Sequence, residues 1–215
     1  GRTPGRVLYW GREAEKGTSC DGAETAAYAG RRQDLAPLLG PARGRTLSPY
    51  PRRMSRPPHL QVLLDLSRAR VPFVLVGAMA ALHYARESST ALMTYDADIL
   101  VRPTPRALGA AIKVLKKGGY KLSAGGEPLG PTDSLLLKRM LEFKAVVRAT
   151  HPKGLAIDLM LEARPYPFQA WFAKRRRFPV AGGTVVCADL KMVLEAKRTV
   201  GRPKDKAFLA AFRAV

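Results

Sequence analysis

The chain has 215 residues and a mass of 23.5 kDa, room for one ordinary globular domain with an extension. Its 37 Lys and Arg against 17 Asp and Glu give a formal charge of +20 that no histidine titration neutralises near pH 7, so a polyanion or an anionic group on a small molecule is the expected partner. The longest mostly apolar run, residues 71–82, is too short for the ~20-residue membrane helix, and the two cysteines, Cys20 and Cys187, exclude a disulfide framework and a Cys-only zinc site.

Residues 1–58 hold 8 Gly and 7 Pro, whereas the remaining 157 residues hold 11 and 10, so the first segment is much the richer in residues that interrupt regular structure. It also lacks apolar periodicity. A disordered basic extension over 1–57, followed by a folded domain over 58–215, is the expected organisation. No basic region followed by an apolar stretch opens the chain, so a cytoplasmic location is expected.

Leu60, Leu63, Leu64 and Ser67 fall at helical spacing, and the run over 73–76 reads as a buried strand that ends at Gly77. The small apolar stretch 77–86 predicts a helix packed closely under a sheet, and 96–101 (DADILV) predicts the next strand. Thr104 and Pro105 are a good N-cap and first helical residue, and Gly118-Gly119 is a stop, predicting a helix between them. A short strand is expected near 120–122, a turn-rich loop over 125–131 and a helix over 133–141. Strands over 143–150 and 155–160, separated by a His-Pro-Lys-Gly turn, should pair antiparallel, making the sheet mixed. A helix over 167–176, a strand over 184–187 and two helices over 188–199 and 204–214 complete the expectation.

Asp96 and Asp98 lie two apart on a strand, so their side chains leave the same face and can share one cation. Asp158 interrupts an apolar strand, where a buried ionised carboxylate is costly unless paired or bound to metal. If the two strands are neighbours, three carboxylates converge as hard oxygen ligands of the kind that suit Mg²⁺ or Mn²⁺. Gly77, ending a strand and opening a helix, is placed to bring backbone amides near a phosphate. Lys174, Arg175, Arg176 and Arg177 follow Trp171 and Phe172, a combination suited to nucleic-acid phosphates with aromatic stacking nearby. As a plain structural alternative the same run is a solvated helix end. His83 is expected to be a packed core residue, and His59 and His151 lie in proline turns without a ligand partner at useful spacing.

Together VLVGAMAALHYA, TYDADILV, AIDLM and KRTVGRPKDKAFLAAF resemble the small bacterial nucleotidyltransferase-fold proteins of the polymerase beta superfamily, the AbiEii-type toxins and minimal nucleotidyltransferases in particular. The resemblance spans about residues 58–212. It implies an α/β (α+β) fold with a mixed sheet flanked by helices and C-terminal helices, and Mg²⁺-dependent transfer of a nucleoside monophosphate from an NTP to a hydroxyl. It also implies that Asp96, Asp98 and Asp158 are the metal ligands and catalytic acids. Gly77, Ala78, Thr94, Lys197 and Arg202 would face the nucleotide, with Asp205 holding the terminal motif together. Implied acceptors are RNA such as tRNA, a protein or an antibiotic-like small molecule, with a cognate toxin or antitoxin as a further partner and no membrane role. Two positions depart from the family pattern: Ala78 stands where many members carry Gly or Ser, and Leu92 where they carry Arg. They favour the competing expectation of a non-catalytic binding module that keeps the fold.

Overall fold

A computed structural model describes residues 57–84, 94 and 96–213. The expected extension over 1–57 therefore lies outside the described residues, save Pro57 itself, as do Cys20 and Leu92. The described chain is a mixed α/β arrangement built on one eight-stranded sheet, with strand order β4-β3-β5-β6-β2-β1-β8-β7. In chain order the elements are α1 (Pro58–Arg68), β1 (Phe73–Val76), α2 (Gly77–Leu82), β2 (Asp96–Val101), α3 (Pro105–Lys117), β3 (Lys121–Ala124), β4 (Glu127–Pro128) and α4 (Ser134–Glu142). They continue with β5 (Val147–Thr150), β6 (Ala156–Met160), α5 (Phe168–Ala173), β7 (Arg176–Val180), β8 (Gly183–Cys187), α6 (Leu190–Val200) and α7 (Pro203–Arg213).

The sheet is mixed, as the turn chemistry predicts. β1 runs antiparallel to β2 and parallel to β8, β2 runs parallel to β6, and β5 and β6 form the expected antiparallel hairpin. Strand alternation then sorts the side chains. Phe73, Leu75, Ala97, Ile99, Val101, Ile157 and Leu159 share one face and are no more than 2% exposed. α1 and α3 cover that face, touching β8, β2 and β3 and each other. Burying seven such side chains is worth roughly 1.5–3 kcal/mol for each large one, which is why this face sets the register. The other face carries Val74, Val76, Asp96, Asp98, Arg148 and Asp158, and it is here that polar chemistry collects.

The expected cap at Thr104 forms, and two further helices, α4 and α6, begin on an aspartate cap. Thr104 accepts a hydrogen bond from the Ala107 amide at 3.3 Å, Asp133 from Leu136 at 2.7 Å and Asp189 from Lys191 at 3.0 Å. Four expectations need correction. The helix expected over 167–176 ends at Ala173, and Arg176–Val180 is an edge strand paired with β8. Pro179 disfavours a helical Phe178 before it, while the Phe178 and Val180 alternation suits a strand. The turn-rich stretch over 125–131 contains β4, closing a tight hairpin on β3 through Gly125 and Gly126, both at positive φ. The strand expected from 143 starts at Val147, since Phe143 caps α4 and is 75% exposed. The helix after Gly77 ends at Leu82, short of the expected 86.

Candidate functional site

β1 ends in Val76, which pairs with Asp98, and the next residue, Gly77, turns the chain into α2 with φ +69°. A Cβ at position 77 would lie 2.1 Å from Asp98 Oδ2, so only glycine leaves room for this carboxylate and adopts the left-handed turn without strain. Asp98 is thus seated against the backbone where the strand becomes a helix. Among the described residues no hydrogen-bond donor or ion-pair partner reaches it. Its pKa is pushed up to about 6, first by burial and then by the charges of Asp96 and Asp158, with Lys197 and Lys204 pulling the other way.

Asp98 faces a cleft of about 290 Å³ that Gly77, Trp171, Lys197, Arg202 and Asp205 also line. Glycine and lysine, 120 residues apart in sequence, meet here with one of the three predicted acids. The terminal motif is built around Asp205, which is 0% exposed. Lys197 donates to its Oδ1 at 3.0 Å and Arg202 to its Oδ2 at 2.7 Å. Gly201, at φ 65°, ends α6 in the left-handed conformation and lets the chain turn into α7, so that all three side chains converge. Burial by itself raises the Asp205 pKa, but the hydrogen bonds and charges of Arg202 and Lys197 outweigh it and hold the carboxyl below the usual range. The Lys197 ammonium also sits 4.4 Å from the Phe208 ring centroid. Asp205 therefore holds the motif together, and it aims two cations at the cleft.

Asp158 stands directly opposite Asp98 on β6, so the strands are neighbours as the convergence requires. Its setting differs from the sequence expectation. The apolar neighbours Ile157 and Leu159 point to the buried face, while Asp158 lies on the other face with a side chain 20% exposed. Arg148, its cross-strand partner on β5, donates to both carboxylate oxygens at 2.9 Å. Asp96 takes the hydroxyl of Thr94 at 3.1 Å, and that hydroxyl also reaches the Asp96 carbonyl at 3.0 Å, so Thr94 is engaged in orienting the acid. Ala78, Thr94, Asp96 and Asp158 do not line the cleft. Among the described residues no three acid, His or Cys side chains are grouped to hold one metal ion. The donor chemistry of Asp96 and Asp98 nonetheless fits a hard divalent cation: two carboxylates on one face of one strand, one of them unpartnered and raised in pKa first by burial and then by the neighbouring acids' charges.

Of the basic run, Arg175 lies over the Phe172 ring at 3.7 Å and donates to the Phe172 carbonyl, and Arg176 pairs loosely with Asp189 at 3.7 Å. None of the four lines the Asp98 cleft. His83 is packed, 5.6 Å from Phe178, and burial followed by the charge of His59 lowers its pKa to about 4. Sequence reasoning missed Arg148 and Trp171. The hairpin register could have found Arg148, since it falls opposite Asp158 once the turn is placed. Trp171, 1% exposed and donating to the Ala163 carbonyl at 2.8 Å, has no local signal that separates a cleft wall from an ordinary core residue.

No family model matches this chain, and neither does any curated protein. Among solved structures it is similar to a candidate nucleotidyltransferase from H. pylori, with 14% identity, a TM-score of 0.33 and coverage of 65% of this chain and 56% of that one. It is also similar to JHP933 from Helicobacter pylori, with 16% identity, a TM-score of 0.30 and coverage of 64% and 56%. The chain spans just over half the length of each of these proteins.

Proposed function

We propose that the Asp98 cleft binds a nucleoside triphosphate with a divalent cation and transfers its nucleoside monophosphate to a hydroxyl acceptor. The acceptor oxygen bonds to the α-phosphorus as the bond to pyrophosphate breaks, and the hydroxyl proton passes to a base or water. The observation that carries this reading is the seating of an unpartnered, charge-repelled carboxylate against a positive-φ glycine, in one cleft with Lys197 and Arg202. Asp96 and Asp98 would hold the Mg²⁺ or Mn²⁺, which when bound neutralises triphosphate charge and aligns the transferred phosphorus with its attacking oxygen. Asp205 fixes Lys197 and Arg202 before any ligand arrives, so their charge is available to phosphate oxygens without reorganisation. Gly77 lets a phosphate approach the backbone closely, and Trp171 with Val76 forms an apolar wall that limits water. Asp158 is near enough to raise Asp98 electrostatically, and as a third acid it would have to leave Arg148 to act as a base.

That last pairing favours a second reading, in which the cleft binds nucleotide without turnover. Incubating the full chain with each labelled NTP, Mg²⁺ and a mixture of RNA and protein separates them. Label in an RNA or protein band, lost in Asp98→Asn, is expected for transfer, and saturable Mg²⁺-dependent NTP binding with no labelled product assigns the second reading. Absence of any NTP binding in the presence of Mg²⁺ or Mn²⁺ would remove both. Toxin or antitoxin partnership would then be sought only if transfer to a cellular acceptor is found.

A further inference from the structure

A second cleft, of about 370 Å³, opens at the start of β1, between the C-terminal end of α1, the end of α5 and the β7–β8 hairpin. Its lining includes Arg70, Phe172, Arg175, Arg177, Thr184 and Val186, and no acidic residue. Register puts Arg177 beside Val186, with Thr184 two residues away on β8, so these side chains leave the sheet together. α5 lies between the two clefts: its Trp171 lines the first and the adjacent Phe172 lines this one.

Two observations mark this cleft as built for an anionic ligand. Arg70 and Arg177 are exposed and make no ion pair or side-chain hydrogen bond among the described residues, and Arg175 is neutralised by no acid either. Its guanidinium is instead laid on the Phe172 ring, 3.7 Å from the centroid, and presents its outer surface as a planar cation. The second observation is the backbone at Arg70. The Arg70 amide donates to the Ser67 carbonyl at 3.1 Å and the Val71 amide to Leu66 at 3.0 Å, the bond pair that closes a helix on a left-handed residue. Arg70 occupies that residue at φ 53°, where glycine is the favoured occupant. A side chain kept at a conformational cost, with its charge in a cleft and no internal partner, is the pattern of a binding position.

We infer that this cleft seats a single-stranded nucleic acid, with Arg70 and Arg177 on successive phosphates and the Arg175 guanidinium as a stacking surface for one base. The apolar floor of Val71, Pro72 and Phe73 suits the face of an unstacked base, which a duplex does not offer. This inference does not depend on the chemistry at Asp98.

The test uses the full chain and a fluorescently labelled 12-mer of oligouridine, with affinity measured by anisotropy across a salt series. Arg70→Ala with Arg177→Ala should weaken binding about tenfold near physiological salt and reduce the log–log salt slope by about 1.4, the value for two single-strand phosphates. Lys113→Ala with Lys117→Ala removes equal charge from the exposed side of α3, where neither lysine lines the cleft, and should change affinity less than twofold. Arg70→Gly separates structure from binding, because it should raise the melting temperature by a few degrees while weakening the oligonucleotide. Arg175→Lys should lower affinity with the salt slope intact, since it keeps the charge and loses the plane. Equal losses from the arginine and lysine pairs would show diffuse charge attraction and overturn the inference. So would unchanged oligouridine binding in the arginine pair, including the case in which that pair instead loses binding to vesicles of anionic lipid.

Discussion

Two acids face the same cleft under opposite conditions. Asp205, fully buried, is bonded to Lys197 and Arg202 and has its pKa lowered, whereas Asp98, lining the same cleft, has no partner among the described residues and its pKa is raised to about 6. The difference separates two uses of a charge. An acid whose hydrogen bonds are all made inside the protein organises structure, and one left unsatisfied at a cleft is a place where a cation from outside can bind.

The largest way to break this contrast is Asp205→Ala, which leaves Lys197 and Arg202 without their shared acceptor. Loss of a buried ion-pair partner costs about 3 kcal/mol, less than the upper end of the range because Arg202 is 56% exposed. Chemical denaturation should show that loss at pH 7, with NTP affinity falling in parallel.

Next in size is Gly77→Ala, which forces a side chain into the left-handed region and onto the Asp98 carboxylate. About 2–3 kcal/mol of destabilisation is expected. In an Asp98→Ala background the cost should shrink to the backbone part alone, about 1 kcal/mol, and a double-mutant cycle would read the difference. Additive effects would mean that the carboxylate can move aside freely.

Asp98→Asn should do the reverse and stabilise the fold by on the order of 2 kcal/mol at pH 7.5 in the presence of a chelator. The sign follows from the raised pKa. Protonated Asp98 favours the folded state, so its contribution is complete below the ordinary carboxylate range and is lost as the pH rises through about 6. The advantage of the Asn variant should therefore be absent near pH 4, grow up to about pH 6 and stay level above it. A constant offset across that range would assign Asp98 a hidden partner.

The smallest effect belongs to Arg148→Ala. The guanidinium is 45% exposed and the pair is worth no more than about 1 kcal/mol, yet the change frees Asp158 beside Asp98. If Asp158 is a restrained third acid, the variant should bind Mn²⁺ more tightly than the parent by calorimetry. Unchanged affinity would leave Asp158 a structural acid.

Much of the framework was legible in the chain itself. Thr104-Pro105 and the double glycine bounded α3, the period-two run over 96–101 identified β2, and the hairpin signal paired β5 with β6, because caps, turns and alternation act over a few neighbouring residues. The Asp-Ala-Asp spacing placed Asp96 and Asp98 on one face for the same reason. Where a distant residue competed, local signals failed. Asp158 looked buried from its flanks, although alternation sends Ile157 and Leu159 inward and the acid outward to Arg148. The basic run looked helical until Pro179 and pairing with β8 made it an edge strand.

By itself, then, the sequence determined where the helices begin, most strands and the shared face of Asp96 and Asp98, since these follow from dihedral preference and period. Only the tertiary structure decided that Asp98 stands unpaired against Gly77, that the Lys197, Arg202 and Asp205 motif lines one cleft with Asp98, and that Arg70 joins Arg175 and Arg177 in a second cleft. Those relations depend on strand order and on contacts across more than a hundred residues, and a carboxylate's charge state is set by which neighbours the fold brings within a few ångströms.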